Sequence, residues 1–337
     1  MNINKIQIMG PLPYILSFVP LALFVVALLV MDSFSLTKWR LIIATFLAGM
    51  ACCAVSFTLL EYWESPLGDA VIEEGVKGLV VLFLIGRRKA ALLGDTTIYG
   101  ACVGAGFGLL ENILHLASGT AYVDAWEAIS MGLEAAVMHI GCTSTLAMML
   151  IMAWQGKFGQ LRWNKGIAIA ISFVLAILIH YLHNLAHHYI PPLIVTVVLI
   201  IYFIISKYSL FKKNERFIHA WIDDCLNNEV ALLSAIRKGE LSTTHAGEYL
   251  LNLKESLDPL VFFDMCCYMA SYLELSIAAK SNLLLRQAGM PPLPVKDNRA
   301  KIAELKALRK RIGRSGIIAL APIVSNRDID RWIVENK

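Results

Sequence analysis

The sequence predicts an all-α protein. It reads as a polytopic membrane bundle of about seven spanning helices, N-terminus out and C-terminus in, followed by a helical cytoplasmic C-terminal domain. Three observations predict this. Of 337 residues, 57% are hydrophobic and the mean hydropathy is +0.62, above the roughly 45–50% of a soluble domain. The excess is confined to residues up to about 208, as long apolar blocks broken by short loops. The loops between those blocks alternate between basic and free of Lys and Arg. The expected domains are therefore 1–208 in the membrane and 209–337 outside it.

Taken in order, the apolar blocks lie near 13–31, 40–61, 69–86, 95–116, 127–153, 166–187 and 190–207. Most reach the ~20 residues that a helix needs to cross ~30 Å of hydrocarbon. The first is too long in its apolar core for a signal peptide and shows no small-residue cleavage site. The third is the shortest and most polar, so a hydropathy window scores it weakly. Lys38 and Arg40, then Arg87, Arg88 and Lys89, then Lys157, Arg162 and Lys165, then Lys207, Lys212 and Lys213 mark alternate loops. Loops near 62–68, 117–126 and 187–190 carry no Lys or Arg. Positive loops stay in the cytoplasm, which puts the N-terminus out and the tail in. Lys5 is the one discordant charge.

Four polar islands interrupt the apolar blocks: IEEGVK at 72–77, FGLLEN at 107–112, His139 with Thr143, and LIHYLHN at 178–184. Ionisable groups in hydrocarbon are costly and persist mostly where they do chemistry or line a polar cavity. With the loop orientation above, Glu73, Glu74, Glu111, His180 and His183 fall in the outer half of the membrane, and His139 lies deeper. Spacing of four residues puts Lys77 on the face of Glu73, Glu111 on that of Phe107, Thr143 on that of His139 and Asn184 on that of His180. Glu134 lies five residues before His139, about 140° round an α-helix, and is left out of the site. Gly100, Gly104 and Gly108 form a small-residue face that lets a neighbouring helix approach closely, near Glu111.

Any one of these groups could serve as interhelical glue. Three carboxylates and two imidazoles on four helices at similar depth are better read as parts for activating water. A carboxylate can act as general base, and His or the Asn184 amide can donate to an oxyanion. No metal is expected. If zinc were used, His139, His180 and Glu111 would be its ligands, leaving a position for water. The HExxH spacing of zinc proteases is absent. Two other classes compete: a proton- or cation-coupled transporter, which would favour internal repeats that are not evident here, and an inactive binder of membrane proteins. Seven cysteines form no CxxC pair, so neither a disulfide framework nor a zinc finger is supported.

The motif series EExxK (Glu73, Glu74, Lys77), FxxxE (Phe107, Glu111), His139, and HxxxN (His180, Asn184) resembles the PrsW intramembrane proteases. These are grouped with the CAAX prenyl endopeptidases and Abi-type membrane proteins. The resemblance covers roughly 40–190 and leaves out the tail. It implies an intramembrane endopeptidase of glutamic type, acting by water activation without a covalent intermediate. Glu73 and Glu74 would supply the base with Glu111 close by. His180 and Asn184 would polarise the scissile carbonyl, His139 would assist, and Lys77, Thr143 and His183 would support. The substrate implied is a single-span or lipid-anchored membrane protein, such as an anti-sigma factor cut at the outer face in a stress cascade. The setting implied is a bacterial inner membrane. Two departures stand out: Glu111 replaces a His of the CAAX branch, and Thr143 replaces a Gly or Ser.

In the tail, apolar positions recur at three and four, predicting helices near 214–238, 242–256, 259–288, 298–313 and 326–335. Thr243 or Thr244 could cap the second, and the Pro-Pro-Leu-Pro run at 291–294 precedes a basic helix. The tail carries 19 Lys+Arg against 15 Asp+Glu, too mixed for nucleic acid. Its expected use is regulation or binding of a cytoplasmic partner.

Overall fold

A computed structural model describes residues 10–34, 37–60, 63, 65–90, 92–118, 124–155, 164–254, 257–291, 293 and 298–324. Among them every regular element is a helix. The chain divides into two compact units, Met1–Asn214 and Glu215–Lys337.

The first unit holds α1 (Leu12–Met31), α2 (Trp39–Leu60), α3 (Pro66–Gly86), α4 (Leu93–Ser118), α5 (Ala125–Ala135), α6 (Gly141–Trp154), α7 (Lys165–Tyr189) and the start of α8 (Pro192–Lys238). A single π turn, Ala136–Ile140, joins α5 to α6, so Ala125–Trp154 is one rod long and apolar enough to cross a membrane. Local chemistry fixes the helix starts. The Ser65 hydroxyl accepts from the Gly68 amide with Pro66 in the first turn of α3. Asp124 and Glu127 form a reciprocal capping box on α5, satisfying amides that a helix start leaves unpaired.

Helix α4 is the buried centre and packs on α1, α2, α3 and α6. Glycines allow this. A Cβ on Gly106 would collide with the Phe46 carbonyl of α2, and one on Gly104 with the His139 carbonyl of the π turn. The expected glycine face therefore does bring α4 against the helix that carries His139. Helix α3 packs on α2, α6 and α7.

Among the described residues, seven helices are long and apolar enough to cross a membrane, but they are not the expected seven. Helix α3 drops out because Asp69, Glu73, Glu74 and Lys77 dilute it. Pro259–Gln287 of the tail qualifies on length and composition. Helix α8 also runs unbroken from Pro192 to Lys238, where the sequence suggests a boundary near 208; nothing between Ile205 and Glu215 breaks a helix.

The second unit comprises the remainder of α8, α9 (His245–Lys254), α10 (Pro259–Gln287) and α11 (Asn298–Leu320). Thr244 caps α9, its hydroxyl accepting from the Gly247 amide. Met265, Met269, Leu273, Leu308 and Ile312 form the core. A buried Lys280 pairs with Glu229 at 2.6 Å and lies over the Trp221 ring. Helix α11 extends past the expected 313, with a kink at Gly313 where φ is +72°. The helix expected at 326–335 lies outside the described residues, as do Lys5, Lys157, Arg162 and residues 119–123 of the loop at 117–126.

Candidate active site

Four segments converge on one cavity of about 420 Å³: α3, α4, the π turn with the end of α5, and α7. Glu73, Glu111, His139, His180, His183 and Asn184 all line it. The separate islands of the sequence thus meet in space. Glu73 is 6% exposed, His139 4% and His180 2%, so water reaches them only through the cavity.

Lys77 organises the wall behind. Its ammonium lies 2.8 Å from Glu74 Oε1 and 3.4 Å from Glu73 Oε2. It also lies 3.2 Å from His139 Nδ1 and 4.1 Å from the centroid of the Phe107 ring. The four-residue steps from Glu73 to Lys77 and from Phe107 to Glu111 explain this: each pair shares a face, and the two faces oppose. A Lys ammonium can only donate. His139 Nδ1 therefore accepts, and its proton sits on Nε2, which donates to Glu111 Oε2 in a short hydrogen bond.

Glu74 is wholly enclosed and does not line the cavity. Its Oε1 receives Lys77 and His180 Nδ1, the latter at 3.1 Å. His180 Nε2 then faces Glu73 Oε2 at 3.9 Å, a gap that suits a bridging water rather than a direct bond. The two adjacent carboxylates thus differ in placement. Glu74 positions His180 from behind, and Glu73 faces the open space.

Thr143 departs from expectation. It is buried, its hydroxyl finds no partner among the described residues, and it does not line the cavity. The π turn ends between His139 and Thr143, so the α-helical four-residue step does not hold across it. The same turn corrects the exclusion of Glu134. Bonding from i to i+5 winds the chain more slowly, so residues five apart come closer to one face, and Glu134 lines the cavity with His139. Asp69 was also missed, although it stands one turn before Glu73. His115 reaches the rim, 4.0 Å from Glu111.

A family model described as PrsW family intramembrane metalloprotease matches residues 20–208. The chain belongs to that family. No curated protein and no solved structure matches it. The PrsW match runs from within α1 into α8 and takes in every residue of the cavity, so the chain is an integral membrane protease.

The PrsW description names a metal, and the zinc set read from the sequence can be tested on geometry. A neutral His bound to zinc through Nε2 carries its proton on Nδ1, usually donated to a carboxylate or carbonyl. His139 Nδ1 instead meets the Lys77 ammonium, donor against donor. Binding through Nδ1 would set the metal beside that ammonium. His180 has the expected second partner in Glu74, but among the described residues no three His, Cys, Asp or Glu side chains come together as a metal site. The set His139, His180 and Glu111 does not fit zinc as arranged.

Proposed function

We propose that this PrsW-family protease hydrolyses a peptide bond of a membrane-anchored protein with water activated by Glu73. The observation that carries this reading is that Glu73 Oε2 and His180 Nε2 stand 3.9 Å apart on the wall of one cavity, near enough for a single water lying beside them to touch both. Glu73 takes a proton from the water as its oxygen attacks the scissile carbonyl carbon. The Asn184 amide donates to the oxyanion, while His180, whose proton lies on Nδ1 against Glu74, accepts from the water through Nε2 and orients it. Glu73 then passes the proton to the leaving amine, so the base of the first step is the acid of the second. Glu111, tied to His139, holds the far wall and its charge. Such general base catalysis contributes roughly 10²–10⁴-fold.

The orientation proposed is N-out and C-in, in a bacterial inner membrane. Two observations support it. Lys38 and Lys89, on different basic loops, come close enough that burial and then the Lys89 charge push the Lys38 ammonium below its ordinary value, so these loops share one end of the bundle. Glu73 lies thirteen residues from the Gly86 end of α3, roughly 20 Å away at ~1.5 Å per residue, so the cavity belongs to the opposite end. The substrate is then a single-span or lipid-anchored protein, for example an anti-sigma-like regulator, cut near the outer face. The region 209–337 would bind a cytoplasmic partner.

The test is cleavage of a panel of single-span proteins by purified wild type, Glu73→Gln and His180→Ala. Wild type cuts, and each variant loses at least about 10²-fold in kcat/KM. Cleavage at wild-type rate by Glu73→Gln removes Glu73 as the base.

A further inference from the structure

A second cavity, about 400 Å³, lies beside the first. Helix α5 supplies Trp126, Met131, Leu133 and Glu134 to its lining, and α8 supplies Thr196. Met131 and Glu134 line both cavities. These two residues are three apart on one helix face, so the second space is a side extension of the site rather than a separate hollow. Its volume falls within the ~300–1,000 Å³ typical of binding pockets. Its character differs from that of the first: Trp126, Met131 and Leu133 make it chiefly apolar.

Thr196 sets the groove apart from ordinary packing. Several buried hydroxyls in the bundle donate to a carbonyl one turn back: Thr45 to Leu41, Thr96 to Leu92, Thr97 to Leu93 and Ser172 to Ala168. Ser56 and Thr143 do not, but neither lines either cavity. Thr196 is only 2% exposed, yet its hydroxyl has no hydrogen-bond partner among the described residues, and it lines the groove. A buried hydroxyl without a partner is costly, so it is suited to a ligand that brings one. Around it, Ile194, Val197 and Val198 of α8 are exposed and apolar, and Trp126 is 62% exposed at the other side. Lipid-facing surface therefore leads to the groove.

We infer that this groove is the substrate subsite flanking the scissile bond, and that it takes an unwound apolar segment from a single-span membrane protein. This rests on the protease reading above. A peptide bond cannot be attacked while its carbonyl is held in a transmembrane helix, so the segment must unwind next to the site. Unwinding frees backbone polar groups that lipid cannot satisfy. Thr196 satisfies one of them. An apolar side chain beside the scissile bond fills the space among Trp126, Met131 and Leu133. Glu134 stands at the passage into the catalytic cavity.

The test uses the full chain in lipid nanodiscs and a synthetic single-span peptide set. Each peptide carries Leu, Ala or Asp at one position on either side of the cleaved bond. Wild type prefers Leu over Ala at the groove-side position, by about tenfold or more in kcat/KM, as expected for filling an apolar pocket. Leu133→Trp lowers that Leu-to-Ala ratio about tenfold, and Thr196→Val lowers kcat/KM several-fold for all peptides. In the uncleaving Glu73→Gln background, benzoylphenylalanine in place of Ser130, which also lines the groove, crosslinks to the peptide beside the bond. An unchanged Leu-to-Ala ratio in Leu133→Trp, or crosslinking to lipid alone, overturns the subsite. A wild type that cuts no peptide overturns the protease reading instead, and the crosslinking result still decides whether the groove holds peptide.

Discussion

At the scale of single residues, Lys77 holds the site together. It is fully buried and reaches both neighbouring carboxylates and His139. Its charge keeps two adjacent carboxylates tolerable in a low-dielectric bundle, and its donor-only chemistry fixes which His139 nitrogen carries the proton. That tautomer orients Glu111 and leaves no free ring nitrogen on His139 for a metal. Removing one partner from a buried charge network leaves the others uncompensated, at a cost of about 3–5 kcal/mol. Lys77→Met should therefore lower the thermal unfolding midpoint of the purified protein and abolish cleavage. A variant that unfolds like wild type would show that the network does not bear on stability. The neighbouring carboxylates illustrate how far residue spacing alone reaches. Glu73 and Lys77, four apart, could be assigned one face from the sequence. That Glu74 turns away from the cavity to hold His180 depends on α7, which no local pattern places.

At the scale of elements, two features decide the geometry: the glycine face of α4 and the π turn of Ala136–Ile140. Gly104 lets the His139 carbonyl come against α4, and that approach sets Glu111 beside the His139 ring. Gly104→Ala must push the backbones apart, so at least about 10²-fold loss of activity is expected, as for small misplacements of reacting groups. Gly75→Ala is the control. Nothing lies within 4 Å of a Cβ there, and Ala is favoured over Gly in a helix by about 1 kcal/mol. It should retain activity and unfold at or above the wild-type temperature; equal damage from both changes would remove the packing argument. The glycine face was legible because small residues four apart have one helical meaning. The π turn was not, since AVMHI is an unremarkable apolar run. It displaced the inferred neighbours of His139, adding Glu134 to the cavity and leaving Thr143 out.

At the scale of the whole molecule, the membrane unit was legible from composition, while its helix count was not settled by hydropathy. Helix α3 carries Asp69, Glu73, Glu74 and Lys77 and for that reason fails an apolarity test, whereas α10 passes one although its Lys280 is buried against Glu229. The proposed orientation rests on charge in loops rather than on hydropathy. With the native cysteines replaced, Ser118→Cys should label with an impermeant maleimide from outside, and Lys89→Cys only after the membrane is opened. Labelling of Lys89→Cys from outside would invert the topology and move the cavity to the cytoplasmic side. The central claim is that Glu73 activates water without a metal ligated by His139. The most direct measurement is kcat/KM for one cleaved single-span substrate, with and without a strong chelator, in wild type and Glu73→Gln. The account predicts wild-type rates that the chelator leaves unchanged, and a loss of about 10²-fold or more in Glu73→Gln. Loss of wild-type activity on chelation, restored by zinc, would contradict it.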